Sequence, residues 1–240
     1  MTSIEYDIKA IQQKTSECMQ TSATQLLSFF DPTVKLEDVI KAVPLYIENG
    51  EKIGTSPGHL AAYFAQQGYK TTVYVFDVEL FDRSWNDLSA PDVINKLKKR
   101  AEYIPTNSWL TAYKNILIDG WELFVKSGGG FIFPILSVGL LQKLLTKAPY
   151  LLMVNSTYLN HQAKSSYDKS SDKMIPDSLK GHSTTHAVIC AGYRDDKFLI
   201  VDPDPPKGTN HHRWIEQDHL IASIMSAQTE SDNLLIAIEQ

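Results

Sequence analysis

The spacing of apolar residues near the start of the chain predicts an amphipathic helix. Apolar residues recur three and four positions apart along one helical face, at Met19, Ala23, Leu26, Leu27 and Phe30. Thr15 or Ser16 provides the predicted N-cap. Pro32 ends the helix, because its ring lacks the N–H that another turn would need. The predicted helix therefore begins close to Cys18.

The hydrophobic pattern further along predicts helices first and strands later. Helices are predicted over 36–43, 57–68, a segment that starts at Pro91, 108–124, 138–147 and 217–225. Strands are predicted over 70–76, 149–155, 185–192, 197–202 and 234–238, with a turn at 49–50. The apolar run over 149–155 is typical of a strand that is buried on both faces. The polar segment 156–184 is predicted to be a long exposed loop.

This order of elements predicts an α+β fold in one domain over residues 1–240. The chain has 240 residues, of which 43% are hydrophobic, which is enough for one sizeable core. Residues 77–130 read as mainly helical and are predicted to be an elaboration of that domain. No internal repeat or linker divides the sequence.

Composition and charge narrow the classes of function. The net charge is −5 with no basic stripe, so nucleic acid is not a predicted partner. The only cysteines, Cys18 and Cys190, are too few for a disulfide framework. The first twenty residues lack an apolar run, and no apolar stretch is long enough to cross a bilayer. The sequence predicts a soluble cytoplasmic protein without a membrane span, and it does not indicate an oligomeric state.

The predicted start of the first helix gives Cys18 a chemical setting. Unpaired amide N–H groups and the helix dipole at this position favour a thiolate, which is the nucleophilic form of cysteine. Gln12 precedes Cys18 by six positions, in a predicted loop. Its amide can donate a hydrogen bond to an oxyanion beside the sulfur. Gln13 is the competing candidate for that role.

A thiolate nucleophile needs a base, and His186 is the candidate. It lies at the start of the predicted strand 185–192. A hairpin centred near Arg194 would place His186 opposite Asp202, with Cβ atoms about 5 Å apart. Asp202 would then orient the imidazole, with Asp204 as the alternative. The predicted site is thus Cys18 as nucleophile, His186 as general base and acid, Asp202 as orienter, and Gln12 with the Cys18 backbone N–H as oxyanion hole.

A metal site is the rival interpretation of the same region. His182, His186 and Cys190 are four positions apart, a spacing that would place metal ligands on one face of a helix. The segment reads as a strand, however, and four strand residues span about 13 Å, too far for one ion. Nothing in the sequence fixes the pair His211-His212 close to these three residues. No metal or other cofactor is therefore predicted, and Cys190 is expected to be a buried residue on the same strand face as Val188.

The ordered set Gln12, Cys18, His186 and Asp202-Pro203 resembles the bacteriocin-processing, double-glycine leader peptidases and their stand-alone relatives, a family of papain-fold cysteine proteases. The resemblance covers about residues 8–30 and 136–210. It implies a papain-like fold with a helical side that carries the cysteine, an antiparallel sheet side that carries His and Asp, and a cleft between them. It also implies cleavage of a peptide or protein substrate, typically after small residues such as Gly-Gly, through a thioester acyl-enzyme.

The sequence also departs from that family. Met19 stands where the family usually has glycine, so its side chain is expected to crowd the cleft. The papain signature Cys-Gly-Ser-Cys-Trp is absent, and so are the ATP-binding loop and membrane helices of the transporters fused to leader peptidases. Two alternatives to hydrolysis therefore stay open. One is an inactive peptide-binding module of the same fold, and the other is transfer of the acyl group to an amine.

Overall fold

A computed structural model describes residues 3–14, 16–43, 45–48, 51–104, 110–168, 173–227 and 233–240. Within these residues the helices α1 to α8 are Cys18–Phe30, Leu36–Ala42, Pro57–Gln66, Ala90–Glu102, Leu110–Lys126, Val138–Leu145, Ser156–Leu159 and Gln217–Met225. The strands β1 to β12 are Ile4–Glu5, Tyr46–Glu48, Glu51–Gly54, Lys70–Val75, Gly130–Ile132, Tyr150–Asn155, Ser165–Asp168, Lys173–Pro176, Thr185–Arg194, Lys197–Val201, His212–Glu216 and Leu234–Glu239. A short 3₁₀ turn covers Arg83–Trp85.

Most of the strands form one sheet in the order β11-β10-β9-β6-β12-β4-β5. Neighbouring strands are antiparallel except β4 and β5, which run parallel, and β1 pairs with one end of β9. β2 with β3 and β7 with β8 form two separate hairpins. The predicted α+β class is confirmed as a mixed fold with a mostly antiparallel sheet.

Helices cover the sheet on both faces, so its central strands are fully buried. Apolar residues of α1, α3, α4 and α5 pack on one face, and those of α6 and α8 pack on the other. Every residue of β6 is buried. Leu151 belongs to the first cluster and Leu152 to the second. The prediction of a strand buried on both faces is therefore confirmed.

Local sequence explains where several helices begin. The Ser56 side chain accepts a hydrogen bond from the His59 N–H at the start of α3, where Pro57 occupies the first turn. Ser137 caps α6 in the same way. The N-cap of α1 is Glu17, which makes no side-chain capping bond, so the prediction of Ser16 as cap is wrong. The alternative cap, Thr15, lies outside the described residues, as do the predicted turn at 49–50 and the predicted helix start at 108.

The sequence pattern missed several short elements. The predicted loop 156–184 contains α7 and the β7–β8 hairpin, whose residues are too polar to show apolar alternation. After the proline-rich segment that follows Asp202, the chain returns to the sheet as β11, a strand that the sequence did not predict. Helices α4 and α5 confirm the helical content of 77–130, and β5 adds a short strand at the edge of the sheet.

Candidate active site

The first residue of α1, Cys18, lies beside the start of β9. The helix packs across this strand, and the Ser22 hydroxyl donates a hydrogen bond to the backbone oxygen of Ala187 at 2.9 Å. Ala187 follows His186, so this contact fixes the N-terminus of the helix against the residue predicted to be the base. The Cys18 side chain is partly exposed.

The imidazole of His186 contacts the carboxylate of Asp202 directly. Nε2 of His186 lies 2.7 Å from Oδ1 of Asp202, and both side chains are buried. The structure therefore brings together the histidine and the aspartate that the sequence predicted as partners. Asp204, the alternative orienter, makes its carboxylate contacts elsewhere, as described below.

The strand register that produces this contact differs from the predicted one. The β9–β10 turn is formed by Asp195 and Asp196, whose φ angles of 48° and 59° belong to the left-handed region that aspartate tolerates. The ladder then shifts at a β-bulge that leaves Ala191 unpaired, so that Val201 pairs with Ile189. His186 and Asp202 are consequently diagonal neighbours rather than opposite residues. The predicted hairpin centre near Arg194 is wrong, and the contact survives because β10 ends one residue before Asp202.

The thiol of Cys18 also interacts with His186. Burial lowers the pKa of His186, but the hydrogen bond to Asp202 and the hydrogen bond and charge interaction with Cys18 outweigh it, and the pKa is raised above its ordinary value. Nε2 is engaged by Asp202, which leaves Nδ1 for the sulfur. The protonated imidazolium is therefore the form of His186 that this environment stabilises.

The Asp202 carboxylate is completely buried and accepts three hydrogen bonds. Oδ1 receives the Asp204 backbone N–H at 2.9 Å in addition to His186, and Oδ2 receives Nη2 of Arg213 at 2.6 Å. Burial raises the pKa of Asp202, but His186, the Asp204 N–H and Arg213 reverse this effect, so the pKa is lowered. The carboxylate therefore stays ionised and oriented. Arg213 was not among the predicted site residues, because β11 was not predicted. The residues around Arg213 give no indication of a contact with Asp202.

The two glutamines before Cys18 both contact Asp204. The Gln12 amide donates to Oδ1 of Asp204 at 3.0 Å and to the Gln13 backbone oxygen at 3.2 Å. The Gln13 amide donates to Oδ2 of Asp204 at 3.2 Å, and the Gln13 backbone N–H donates to Pro203. Gln12 is exposed and both of its amide hydrogens are engaged in these bonds, whereas Gln13 lines the cleft that contains Cys18. Gln13, the competing candidate, is therefore the glutamine that lines the same cleft as Cys18.

Cys18 and His186 lie in an open cleft of about 950 Å³. Apolar residues contribute part of the wall, including Leu45, Met19 and Met153, and hydroxyl and amide groups contribute much of the rest. Met19 is only 4% exposed and packs into the core with α1, and it also lines the cleft beside Cys18. The expectation that its side chain crowds the cleft therefore stays a prediction.

The rival metal residues are dispersed. His182 forms a backbone bridge with Ser165, and Cys190 is buried in the core beside Val188, where burial raises the pKa of its thiol to about 12. In the part of the chain that the structure describes, no three His, Cys, Asp or Glu side chains are grouped to hold a metal ion.

Among the described residues, no helix combines the length and apolar character needed to cross a membrane.

Comparisons with known proteins support the fold. No protein-family model matches the chain, and neither does any curated protein. The chain is similar to a crystal structure described as that of a "putative C39-like peptidase" from Bacillus anthracis, with a TM-score of 0.51 and 12% sequence identity. The similarity covers 100% of this chain and 98% of that chain. The two chains therefore share a fold over their full compared length, and the neighbour is described as a peptidase.

Proposed function

We propose that the protein is a cysteine peptidase that acts through Cys18, His186 and Asp202. One observation carries the proposal: a cysteine at a helix N-terminus interacts with a histidine that is hydrogen-bonded to a buried carboxylate, and both line an open cleft. Nucleophilic catalysis by a thiolate requires this set of groups in contact. The fold shared with a C39-like peptidase supports the same class of reaction.

In the first half of the proposed reaction, the thiolate of Cys18 attacks the carbonyl carbon of a peptide bond. A C–S bond forms, and the carbonyl electrons move to the oxygen to give a tetrahedral oxyanion. The imidazolium of His186 then donates its proton to the leaving amine as the C–N bond breaks. Asp202 stabilises the imidazolium before this transfer and fixes the plane of the ring. The product is a thioester on Cys18 and a free amine.

In the second half, water enters and His186, now neutral, removes one of its protons. The resulting hydroxyl attacks the thioester carbonyl, the C–S bond breaks, and the acid product leaves. The Cys18 thiolate and the His186 imidazolium are then restored. An amine in place of water would give acyl transfer with the same residues, and mass spectrometry of the products with and without an added amine distinguishes the two reactions.

The proposed oxyanion hole consists of the Cys18 backbone N–H and the side-chain amide of Gln13. The helix N-terminus presents the first donor, and the position of Gln13 in the cleft wall supplies the second. Asp204 holds both glutamine side chains in place. The predicted Gln12 thus becomes a neighbour of the donor in this proposal.

Alkylation tests the proposed nucleophile. Iodoacetamide is expected to label Cys18 at least about 100-fold faster than Cys190, because Cys18 is partly exposed next to His186 while Cys190 is fully buried with a raised pKa. Peptide mapping by mass spectrometry after short exposure of the folded protein measures both rates. Slow and equal labelling of the two cysteines would contradict the proposal.

Paired glutamine substitutions test the oxyanion hole. Gln13→Ala is expected to lower kcat by about 100-fold with little change in KM, because the donor acts only when the oxyanion forms. Gln12→Ala is the matched control and is expected to lower kcat by less than about fivefold. The measurement is steady-state cleavage of a peptide chosen by library profiling. The opposite ranking would return the role to Gln12.

Met19 beside the nucleophile is one reason to consider an inactive peptide-binding module of the same fold. Met19 packs into the core and also lines the cleft, so it does not decide between the two functions, whereas the interaction of Cys18 with His186 supports activity. Binding of peptides without any acyl-enzyme, detected by intact mass spectrometry, would nevertheless support that alternative over the peptidase.

A further inference from the structure

Arg213 contacts Asp202, one of the proposed catalytic residues, and it also contacts the wall of the cleft. Its guanidinium donates through Nη2 to Asp202 at 2.6 Å and through Nη1 to the side-chain oxygen of Asn160 at 2.9 Å. Asn160 follows α7 and lines the cleft. The Arg213 side chain is only 16% exposed. A largely buried guanidinium whose two nitrogens bond to different elements is a rigid link between them.

We propose that Arg213 is a positioning residue that holds the Asp202 carboxylate toward His186 and ties it to the cleft wall through Asn160. This inference rests on the proposed function, because it assigns Arg213 a role in maintaining the Cys18–His186 pair. Arg213 itself does not contact the nucleophile in this role. It acts through Asp202.

The charges of the site support this role. With Cys18 in the thiolate form that the proposed reaction requires, four charges alternate in sign along one chain of contacts: the Cys18 thiolate, the His186 imidazolium, the Asp202 carboxylate and the Arg213 guanidinium. Without Arg213, this buried chain would carry an uncompensated negative charge. A buried carboxylate that loses one of its partners gains a proton more readily or turns away.

The groups that face Asp202 come from three directions. His186 approaches from β9, Arg213 from β11, and the Asp204 N–H from the segment that follows β10. The ring of His211 contacts only the Asp202 backbone oxygen, at 2.6 Å. Arg213 engages Oδ2, whereas His186 and the Asp204 N–H engage Oδ1, so Arg213 fixes the rotation of the carboxylate about its own axis.

The pH dependence of Cys18 alkylation tests the role of Arg213. The rate constant for iodoacetamide is measured across pH for the folded wild type, Arg213→Met and Arg213→Lys. The acid limb is the low-pH side of the profile, where the rate rises with pH. In Arg213→Met this limb is expected to move to higher pH by about one unit, because Asp202 no longer supports the imidazolium. The rate on the acid side is then roughly tenfold lower. Arg213→Lys keeps the positive charge but lacks the planar guanidinium that reaches both Asp202 and Asn160. A smaller shift of the acid limb to higher pH is expected for this variant.

The lysine variant separates positioning from simple electrostatics. If Arg213 were only a nearby positive charge, its loss in Arg213→Met would leave excess negative charge that disfavours the thiolate and moves the acid limb to higher pH, whereas Arg213→Lys, which keeps the charge, would leave the limb in place. That result, or an unchanged limb in both variants, would overturn the proposal. Arg194→Met is the matched control: Arg194 pairs with Glu5 at the exposed far end of β9, and its removal is expected to leave the profile unchanged.

This experiment is independent of peptide cleavage. Alkylation requires only the thiol and its partners, so the Arg213 result holds whether or not the wild type turns over a peptide. A wild type that shows the alkylation profile but cleaves nothing would refute the peptidase proposal alone. If Arg213→Met does not fold, as judged by circular dichroism, Arg213→Lys still tests the proposal, because it keeps the positive charge and removes the guanidinium that reaches both Asp202 and Asn160. A shift of the acid limb to higher pH in this variant supports positioning, and an unchanged limb overturns it.

Discussion

Replacement of Cys18 by alanine is expected to lower kcat/KM by at least about 1,000-fold. The substitution removes the nucleophile, and no other described side chain in contact with His186 can form a thioester. Cys18→Ser is expected to lose nearly as much, because the hydroxyl keeps its proton where the thiol gives it up. The measurement is cleavage of a library-selected peptide, with intact mass spectrometry to detect the acyl-enzyme in the wild type.

Cys190→Ala is the matched control for this experiment. Cys190 is fully buried between the sheet and α6, so the substitution leaves a small cavity and costs about 1 kcal/mol of folding stability. Activity per folded molecule is expected to match the wild type. Full cleavage by Cys18→Ala, with a complete loss in Cys190→Ala, would reverse the assignment of the nucleophile.

Replacement of Asp202 by alanine is expected to lower kcat/KM on the order of 1,000-fold and to narrow the pH range of activity. The carboxylate is one cause of the raised pKa of His186. Without it, His186 lies in a buried site near the positive Arg213, so its pKa falls. The imidazolium is then lost at lower pH, and the alkaline limb of kcat/KM moves down. The acid and alkaline limbs belong to the Cys18–His186 pair rather than to either residue alone.

A pair of asparagine variants separates this effect from general destabilisation. Asp202→Asn retains an acceptor for Nε2 of His186, so a smaller loss is expected together with the same downward movement of the alkaline limb. Asp196→Asn is the control at the other end of the hairpin, where the native carboxylate accepts a hydrogen bond from the Tyr193 hydroxyl at 2.8 Å. Its pH profile is expected to match the wild type. An alkaline limb that stays in place in both Asp202 variants would contradict the role of the carboxylate.

Much of the fold follows from local pattern. α1 and α8 have their predicted bounds because apolar spacing defines both helices, and Pro32 ends α1. β6 was predictable because a continuous apolar run fits only a strand covered on both faces. Elements without an apolar signature, such as the β7–β8 hairpin, depend on contacts that a linear pattern does not contain.

The candidate site was predictable in its residues more than in its geometry. Cys18, His186 and Asp202 were identified from chemistry and order along the chain, and the structure brings them together. The register was not predictable, because a bulge leaves no mark in the residue types around it. Arg213 escaped notice for a related reason: a charged residue in a short, partly exposed strand reads as surface.

The choice between Gln12 and Gln13 illustrates the same limit. Adjacent residues in an irregular segment point in directions that no periodicity fixes. Both side chains donate to Asp204, and only the position of the cleft distinguishes them. Asp204 was considered as an orienter of the histidine, whereas its carboxylate accepts from both glutamines and would hold them in place in the proposed oxyanion hole.

Ala191 has no partner in β10, so the geometry of the site depends on the number of residues in the hairpin. Because alternate residues of a strand point to opposite sides, deletion of one residue there would reverse the side on which His186 emerges relative to Asp202. Substitutions of one apolar residue for another along these strands preserve that count. Descendants of this chain should therefore tolerate exchanges of residue type in the hairpin far better than insertions or deletions, even where the inserted residue would suit a sheet.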